Sequence, residues 1–244
     1  MTLIAIGESL LDIFKLALYI ACAFMALSMY AKYSKTPWLL ALAGRRFAVL
    51  TLLTLIVVGI KVFEDVLSKE SGPVDTAALW LIRQNTSPEL AGFFSVVTWT
   101  GAAIFLVPAT VVVCGVLLVT RHHREAIFLA ATMASGWALT YALKALVNRA
   151  RPELWSTTWY WGSSFPSGHT LSTAAFATTL TVVATRLQPQ SRRIALPLAV
   201  LWIGLMGLSR LVLGVHWPSD VLAAICLGLF IPLAINLLLF PSAS

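Results

Sequence analysis

Residues 91–120 form a run of 30 residues without one charged side chain. An α-helix needs roughly 20 apolar residues to cross the hydrocarbon core of a bilayer. This run therefore holds one crossing and an interfacial lead-in. Comparable apolar runs recur at 16–31, 47–63, 126–143, 170–185, 194–209 and 221–240. Only helices and closed barrels satisfy their backbone groups in lipid. Runs of this length predict an all-α, polytopic membrane helix bundle of seven spans. No Gly/Ser-rich linker and no repeat interrupts the series. The chain divides into 1–46, an N-terminal apolar helix with a basic cytoplasmic loop, and 47–244, the membrane-embedded domain.

Composition agrees. Hydrophobic residues make up 59% of the chain, charged residues only 11%, and mean hydropathy is +0.87. A soluble domain carries about 25% charged residues. The net charge of +7 would suit nucleic acid, but the basic residues are dispersed in short loops and form no stripe, so no nucleic-acid partner is expected. Cys22, Cys114 and Cys226 lie far apart inside apolar runs and suggest neither a disulfide nor a metal site. Glu8 and Asp12 precede the first run without a basic segment, so it does not read as a cleaved signal. Two pieces, Gly72-Pro73 onward and Ser87-Pro88 onward, read as short interfacial helices with proline at their start.

Loops 32–46, 121–124 and 186–193 hold nine Lys and Arg residues. They alternate along the chain and are cytoplasmic by the positive-inside rule. The intervening loops, 64–90, 145–168 and 210–220, then share the opposite, extracytoplasmic face. The aromatics Trp155, Trp159, Tyr160 and Trp161 suit the headgroup layer there. Three polar clusters meet at this face, and an ionisable group at the rim of a span is a functional candidate by default.

The clusters suggest anion chemistry. Lys144, Arg151 and Arg210 bring cations, balanced within these clusters only by Asp220 and, more distantly, Glu153. Arginine offers phosphate a fork and lysine a point charge. Ser167 suits a helix N-cap, Gly168 lets backbone approach a ligand, and the free amides of that helix start form an anion site. Pro218 starts the last helix, which puts Asp220 in its first turn and His216 just before it. Asp220 can then accept from one ring nitrogen of His216 and leave the other as a nucleophile. His169 is a candidate general acid. Each feature alone has a commoner structural meaning: Lys144 a snorkelling span end, Arg151-Pro152 a loop corner, a His–Asp pair a structural contact. A metal site would want more carboxylate or histidine and fewer cations.

In chain order the clusters read Lys144-x6-Arg151-Pro152, Pro166-Ser167-Gly168-His169, and Ser209-Arg210-x5-His216-x3-Asp220. This resembles the three-part signature of the type 2 phosphatidic acid phosphatase family, with eleven specified positions matched over about 77 residues. The resemblance implies a six-helix membrane core, His216 as nucleophile, Asp220 as its orienting partner and His169 as acid. It places Lys144, Arg151, Ser167, Gly168 and Arg210 around the phosphate, with no metal or other cofactor. The family includes soluble acid phosphatases and vanadium haloperoxidases; the spans here look like its integral lipid phosphatases. The departure is the first apolar run, which is additional to six spans. The expected function is a metal-independent phosphatase of the bacterial inner membrane, with its site facing the periplasm or exterior. Its substrate would be an isoprenoid or glycerolipid (pyro)phosphate: undecaprenyl pyrophosphate, phosphatidylglycerophosphate, phosphatidate or lipid A phosphate. Two alternatives share the motif or its cations: a lipid phosphotransferase, and a non-catalytic transporter or binding protein for lipid phosphates.

Overall fold

The helix that everything else packs around is the least apolar long one. It runs over Gly168–Leu187 and carries Thr170, Ser172, Thr173 and Thr179, all buried. The computed structural model describes residues 3–33, 46–155 and 162–240. Nine α-helices lie within them: α1 Leu3–Tyr33, α2 Arg46–Leu67, α3 Gly72–Gln84, α4 Pro88–Trp99, α5 Ala103–Val119, α6 His123–Val147, α7 Gly168–Leu187, α8 Arg192–Val212 and α9 Pro218–Leu239. A 3-10 turn, Pro189–Ser191, leads into α8. The all-α expectation holds for the described residues.

Helices α6, α8 and α9 surround α7; α2 packs on α9, α1 on α2, α5 on α6 and α4 on α8. Close approach of α9 to α7 depends on Gly228, where a Cβ would come within 2.6 Å of Ala174 Cβ and 2.7 Å of the Leu171 carbonyl. Small residues let membrane helices meet at this range. The apolar core lies between helices, for example Leu106, Leu129, Met133, Ala175 and Phe176 across α5, α6 and α7. The outside is apolar as well: Ile104, Val111, Ile194, Val200 and Leu238 are all more than half exposed. A bundle with polar residues inside and aliphatic ones outside is built for lipid. The protein is an integral membrane protein.

The seven apolar runs read from the sequence fall on α1, α2, α4 with α5, α6, α7, α8 and α9. Four described helices are long and apolar enough to cross: Phe47–Leu67, His123–Val147, Pro189–Val212 and Pro218–Leu239. A fifth crossing results if α4 and α5, bent by 42° at a short break, act as one. That pair is the lead-in and span read from residues 91–120. Helix α7 has 20 residues, but a helix enclosed by others needs no apolar surface, and hydroxyls on it bond its own backbone, as when Thr179 Oγ1 donates to the Ala175 carbonyl. In α1 the apolar stretch is Lys15–Tyr30, short of a full crossing. The expected short helices are present as α3 and α4, and Ser87 caps α4 by accepting from Leu90 N at 3.3 Å. Lys35, Arg45, Trp159, Tyr160 and Trp161 lie outside the described residues.

Candidate active site

All three polar clusters converge where the C-terminal ends of α6 and α8 meet the N-terminal ends of α7 and α9. Helix α6 stops at Asn148, whose left-handed conformation (φ 44°) turns the chain. The next residues fold back on themselves: Ser164 N donates to the Arg149 carbonyl at 2.8 Å, and Arg149 N to Ser163 Oγ at 3.0 Å. The starts of α7 and α9 are tied by Ser167 N donating to the Asp220 carbonyl at 3.3 Å.

His216 sits in the short turn between α8 and α9 and is 2% exposed. Arg151 Nη1 lies 3.3 Å from its Nε2, and Asp220 Oδ2 lies 3.5 Å from its Nδ1. A guanidinium can only donate and a carboxylate can only accept. The ring is therefore held with its proton on Nδ1, facing Asp220, and its lone pair on Nε2. The Asp220 contact has ion-pair distance rather than hydrogen-bond geometry, looser than the bond expected from the sequence. Burial pushes the His216 pKa down to about 4, and Arg210 and Arg151 push the same way against Asp220. The imidazole is neutral at physiological pH, as a nucleophile must be.

Asp220 is fully buried. Its Oδ2 also accepts from Trp217 N at 2.9 Å, capping its own helix, and its Oδ1 accepts from Arg149 Nη1 at 2.6 Å. The cations stand around the histidine. Arg151 Nη1 donates to the Val215 carbonyl at 2.8 Å and its Nε to the Gly162 carbonyl at 3.1 Å. Lys144 donates from Nζ to the Ser163 carbonyl; it is not a span end reaching for water. Arg210 is fully buried and donates to Thr98 Oγ1 of α4. His169, half-buried in the first turn of α7, is within electrostatic reach of Arg210, His216, Arg151 and Lys144.

Two expectations need correction. Ser167 occupies the N-cap position of α7, but its hydroxyl makes no capping bond and instead pairs with Thr170 Oγ1 at 3.0 Å. Trp155 is more than a headgroup anchor. It packs on Gly214 (φ 65°), where a Cβ would fall 2.6 Å from the indole, and stands 5.6 Å from both the Trp80 ring and the Arg83 guanidinium. The sequence also hid two site residues. Asp75 comes from α3, is 2% exposed, and accepts from Arg149 Nη2 at 2.7 Å. Glu153 and Asp220 are thus not the only acids to consider here. The signal for Arg149 was its place inside the Lys144-to-Arg151 spacing; for Asp75 there was none beyond its position in a helix's first turn.

Residues 125–242 match the PAP2 superfamily. That stretch of the chain is a PAP2-family domain, of the type 2 phosphatidic acid phosphatases. Among PAP2 relatives, it is 28% identical over 154 residues to the phosphatidylglycerophosphatase B of Bacillus subtilis, covering 62% of this chain and 74% of that protein. It is 34% identical over 118 residues to the decaprenylphosphoryl-5-phosphoribose phosphatase of Mycobacterium tuberculosis, covering 47% of this chain and 61% of that one. The crystal structure of a transmembrane PAP2-type phosphatidylglycerolphosphate phosphatase from Bacillus subtilis superposes with a TM-score of 0.71 at 22% identity, covering 76% of this chain and 94% of the other. That likeness establishes a shared PAP2 fold.

Proposed function

We propose that this PAP2 protein is a metal-independent phosphatase that removes a terminal phosphate from a lipid phosphate or pyrophosphate through a phosphohistidine on His216. The orientation of the His216 ring carries this reading. Nδ1 faces a buried carboxylate and Nε2 faces the Arg151 guanidinium. In the first step the Nε2 lone pair attacks phosphorus, the N–P bond forms and the bond to the lipid-side oxygen breaks. His169 gives that oxygen a proton. In the second step water attacks phosphorus and gives a proton back to His169, the N–P bond breaks, and inorganic phosphate leaves as His216 recovers its lone pair. Arg151, Arg210, Lys144 and the amides at the start of α7 hold the equatorial oxygens, so catalysis is mainly positioning and fixed charge. The site sits where helix ends meet the membrane boundary, which suits a lipid headgroup. The alternation of basic loops supports a site on the periplasmic or exterior side of a bacterial inner membrane.

Substrate candidates are the isoprenoid and glycerolipid phosphates, with undecaprenyl pyrophosphate, phosphatidylglycerophosphate, phosphatidate and lipid A phosphate forming the panel. The test is phosphate release by the detergent-purified protein in EDTA. Release from at least one of the four supports hydrolysis, and a strict divalent-ion requirement contradicts the scheme. No release, with the phosphate found instead on an added acceptor lipid, points to transfer.

His169→Ala is expected to slow turnover by about 10²–10⁴-fold, the usual contribution of a positioned acid. The loss should be smallest for a pyrophosphate, whose leaving phosphate needs the least help. Equal losses for a monoester and a pyrophosphate would remove His169 from that role. Gly168→Ala tests the approach of phosphate to backbone. A Cβ there meets only Thr140 Cγ2, at an ordinary 3.5 Å, so protein packing does not demand glycine. The variant should melt at or slightly above the wild-type temperature, since alanine favours a helix. Its kcat/KM should fall by at least about tenfold, the loss of one oxygen-binding contact. Unchanged kinetics would move the phosphate away from this amide.

A further inference from the structure

Asp75, Arg149, Ser219 and Asp220 form a polar chain behind the histidine whose two carboxylates are buried, and of the four the transfer chemistry itself requires only Asp220. Asp75 Oδ2 accepts from Arg149 Nη2 at 2.7 Å and from Ser219 Oγ at 2.6 Å; its Oδ1 accepts from Ser219 N at 2.9 Å. Arg149 Nη1 donates to Asp220 Oδ1 at 2.6 Å and to Ser219 Oγ at 2.7 Å. One guanidinium is thus shared between two carboxylates, one of which faces His216 with its other oxygen. The plainer role would be a tie between α3 and α9. That role needs only one ion pair, and it does not require the shared arginine to end on the nucleophile's partner.

We infer that Asp75 and Arg149 are positioning residues for the nucleophile. The Asp75 carboxylate sets how much of the Arg149 charge reaches Asp220, and so how firmly Asp220 holds the Nδ1 proton of His216. This rests on the phosphatase reading above and extends it to a residue on an interfacial helix. Opposite charge raises and like charge lowers the proton affinity of a histidine. Replacing Asp75 with Asn leaves the Arg149 cation unbalanced beside Asp220, so His216 protonates only at lower pH. Replacing Arg149 with Gln frees the Asp220 charge, so His216 protonates at higher pH. The other charged groups acting on His216 are Arg210 on α8, His169 on α7 and Arg151 in the loop after α6, with Lys144 at the end of α6 acting on Arg151, Asp220 and Arg210. They are the same in every variant, as is the ionisation of the substrate.

The experiment measures kcat, KM and the acid limb of kcat/KM for wild type, Asp75→Asn, Arg149→Gln and the double variant. The full-length protein is used in detergent, on whichever lipid of the four-member panel the wild type turns over fastest. The limb is expected to move down in Asp75→Asn and up in Arg149→Gln by about half a pH unit each, and back toward wild type in the double variant. Turnover should fall by about 3–30-fold in each single variant, with KM within about twofold, because the contacts act on the transition state and not on binding. The limb is independent of how much protein is correctly folded. A tie between helices would lower the active fraction and leave the limb in place. A limb that stays put, or moves the same way in both single variants, overturns the inference. His216→Ala runs in parallel. Turnover in that variant would bring down the phosphatase reading, whereas its silence with unmoved limbs would bring down only this inference.

Discussion

His216→Ala is expected to release no phosphate above about one thousandth of the wild-type rate. Removing a covalent nucleophile costs at least this much in enzymes that split the reaction in two steps, because nothing else accepts the transferring group. Neighbouring donors do not substitute. Arg151 and Lys144 are held as cations on carbonyl oxygens and have no lone pair to offer. Since His216 is buried among Val215, Asp220 and the turn before α9, alanine also leaves a small cavity. His216→Gln fills it and should be equally silent, with elution and melting close to wild type. Turnover in either variant at a few per cent of wild type would end the histidine's role as nucleophile.

Asp220→Asn should be the second largest single effect, a loss of about 10²–10⁴-fold in kcat by analogy with carboxylates that fix a histidine tautomer. The geometry shows why an amide cannot serve. Both Asp220 oxygens accept: Oδ1 from Arg149 Nη1, and Oδ2 from Trp217 N, with His216 Nδ1 beside it. An amide has one oxygen. If it faces Arg149, its NH₂ meets the Trp217 N–H and pushes the histidine proton from Nδ1 to Nε2, where it blocks attack and confronts Arg151. If it faces Trp217, the NH₂ meets the guanidinium. Either way a buried donor is left without an acceptor, so stability should fall by about 1–3 kcal/mol as well. Steady-state kinetics and thermal unfolding on the same preparation check both. Wild-type kcat with an unmoved melting point would contradict the assigned tautomer.

The site was more legible than the bundle. Lys144, His169, Arg210 and Asp220 sit in the end turns of helices, Arg151 and His216 in short loops next to such ends, and a helix end fixes a side chain to within a turn. The sequence therefore exposed their convergence. What it could not expose is the wiring from elsewhere. Asp75 lies far from the clusters in the chain, in a segment rich in surface charges, and only folding brings it to Arg149. Hydropathy alone picks out fewer crossings than the bundle has long helices, for a related reason. Hydropathy measures the surface a helix would show to lipid. Helix α7 shows almost none, and its buried Thr170, Thr173 and Thr179 lower the signal of the most central helix. Trp155 shows the converse: an aromatic in a polar loop reads as a lipid anchor, yet Gly214 leaves a place for it inside the protein.

The most direct test of the account is to trap the phosphorylated enzyme. The purified protein is mixed with substrate carrying a labelled terminal phosphate, quenched in alkali within one turnover, and assayed for label on protein. The account predicts a base-stable, acid-labile phosphoramidate that maps to the segment containing His216, decays as phosphate appears, and is missing from His216→Ala. Phosphate formed within the first turnover with no label on the wild-type protein, or label persisting on His216→Ala, would contradict it.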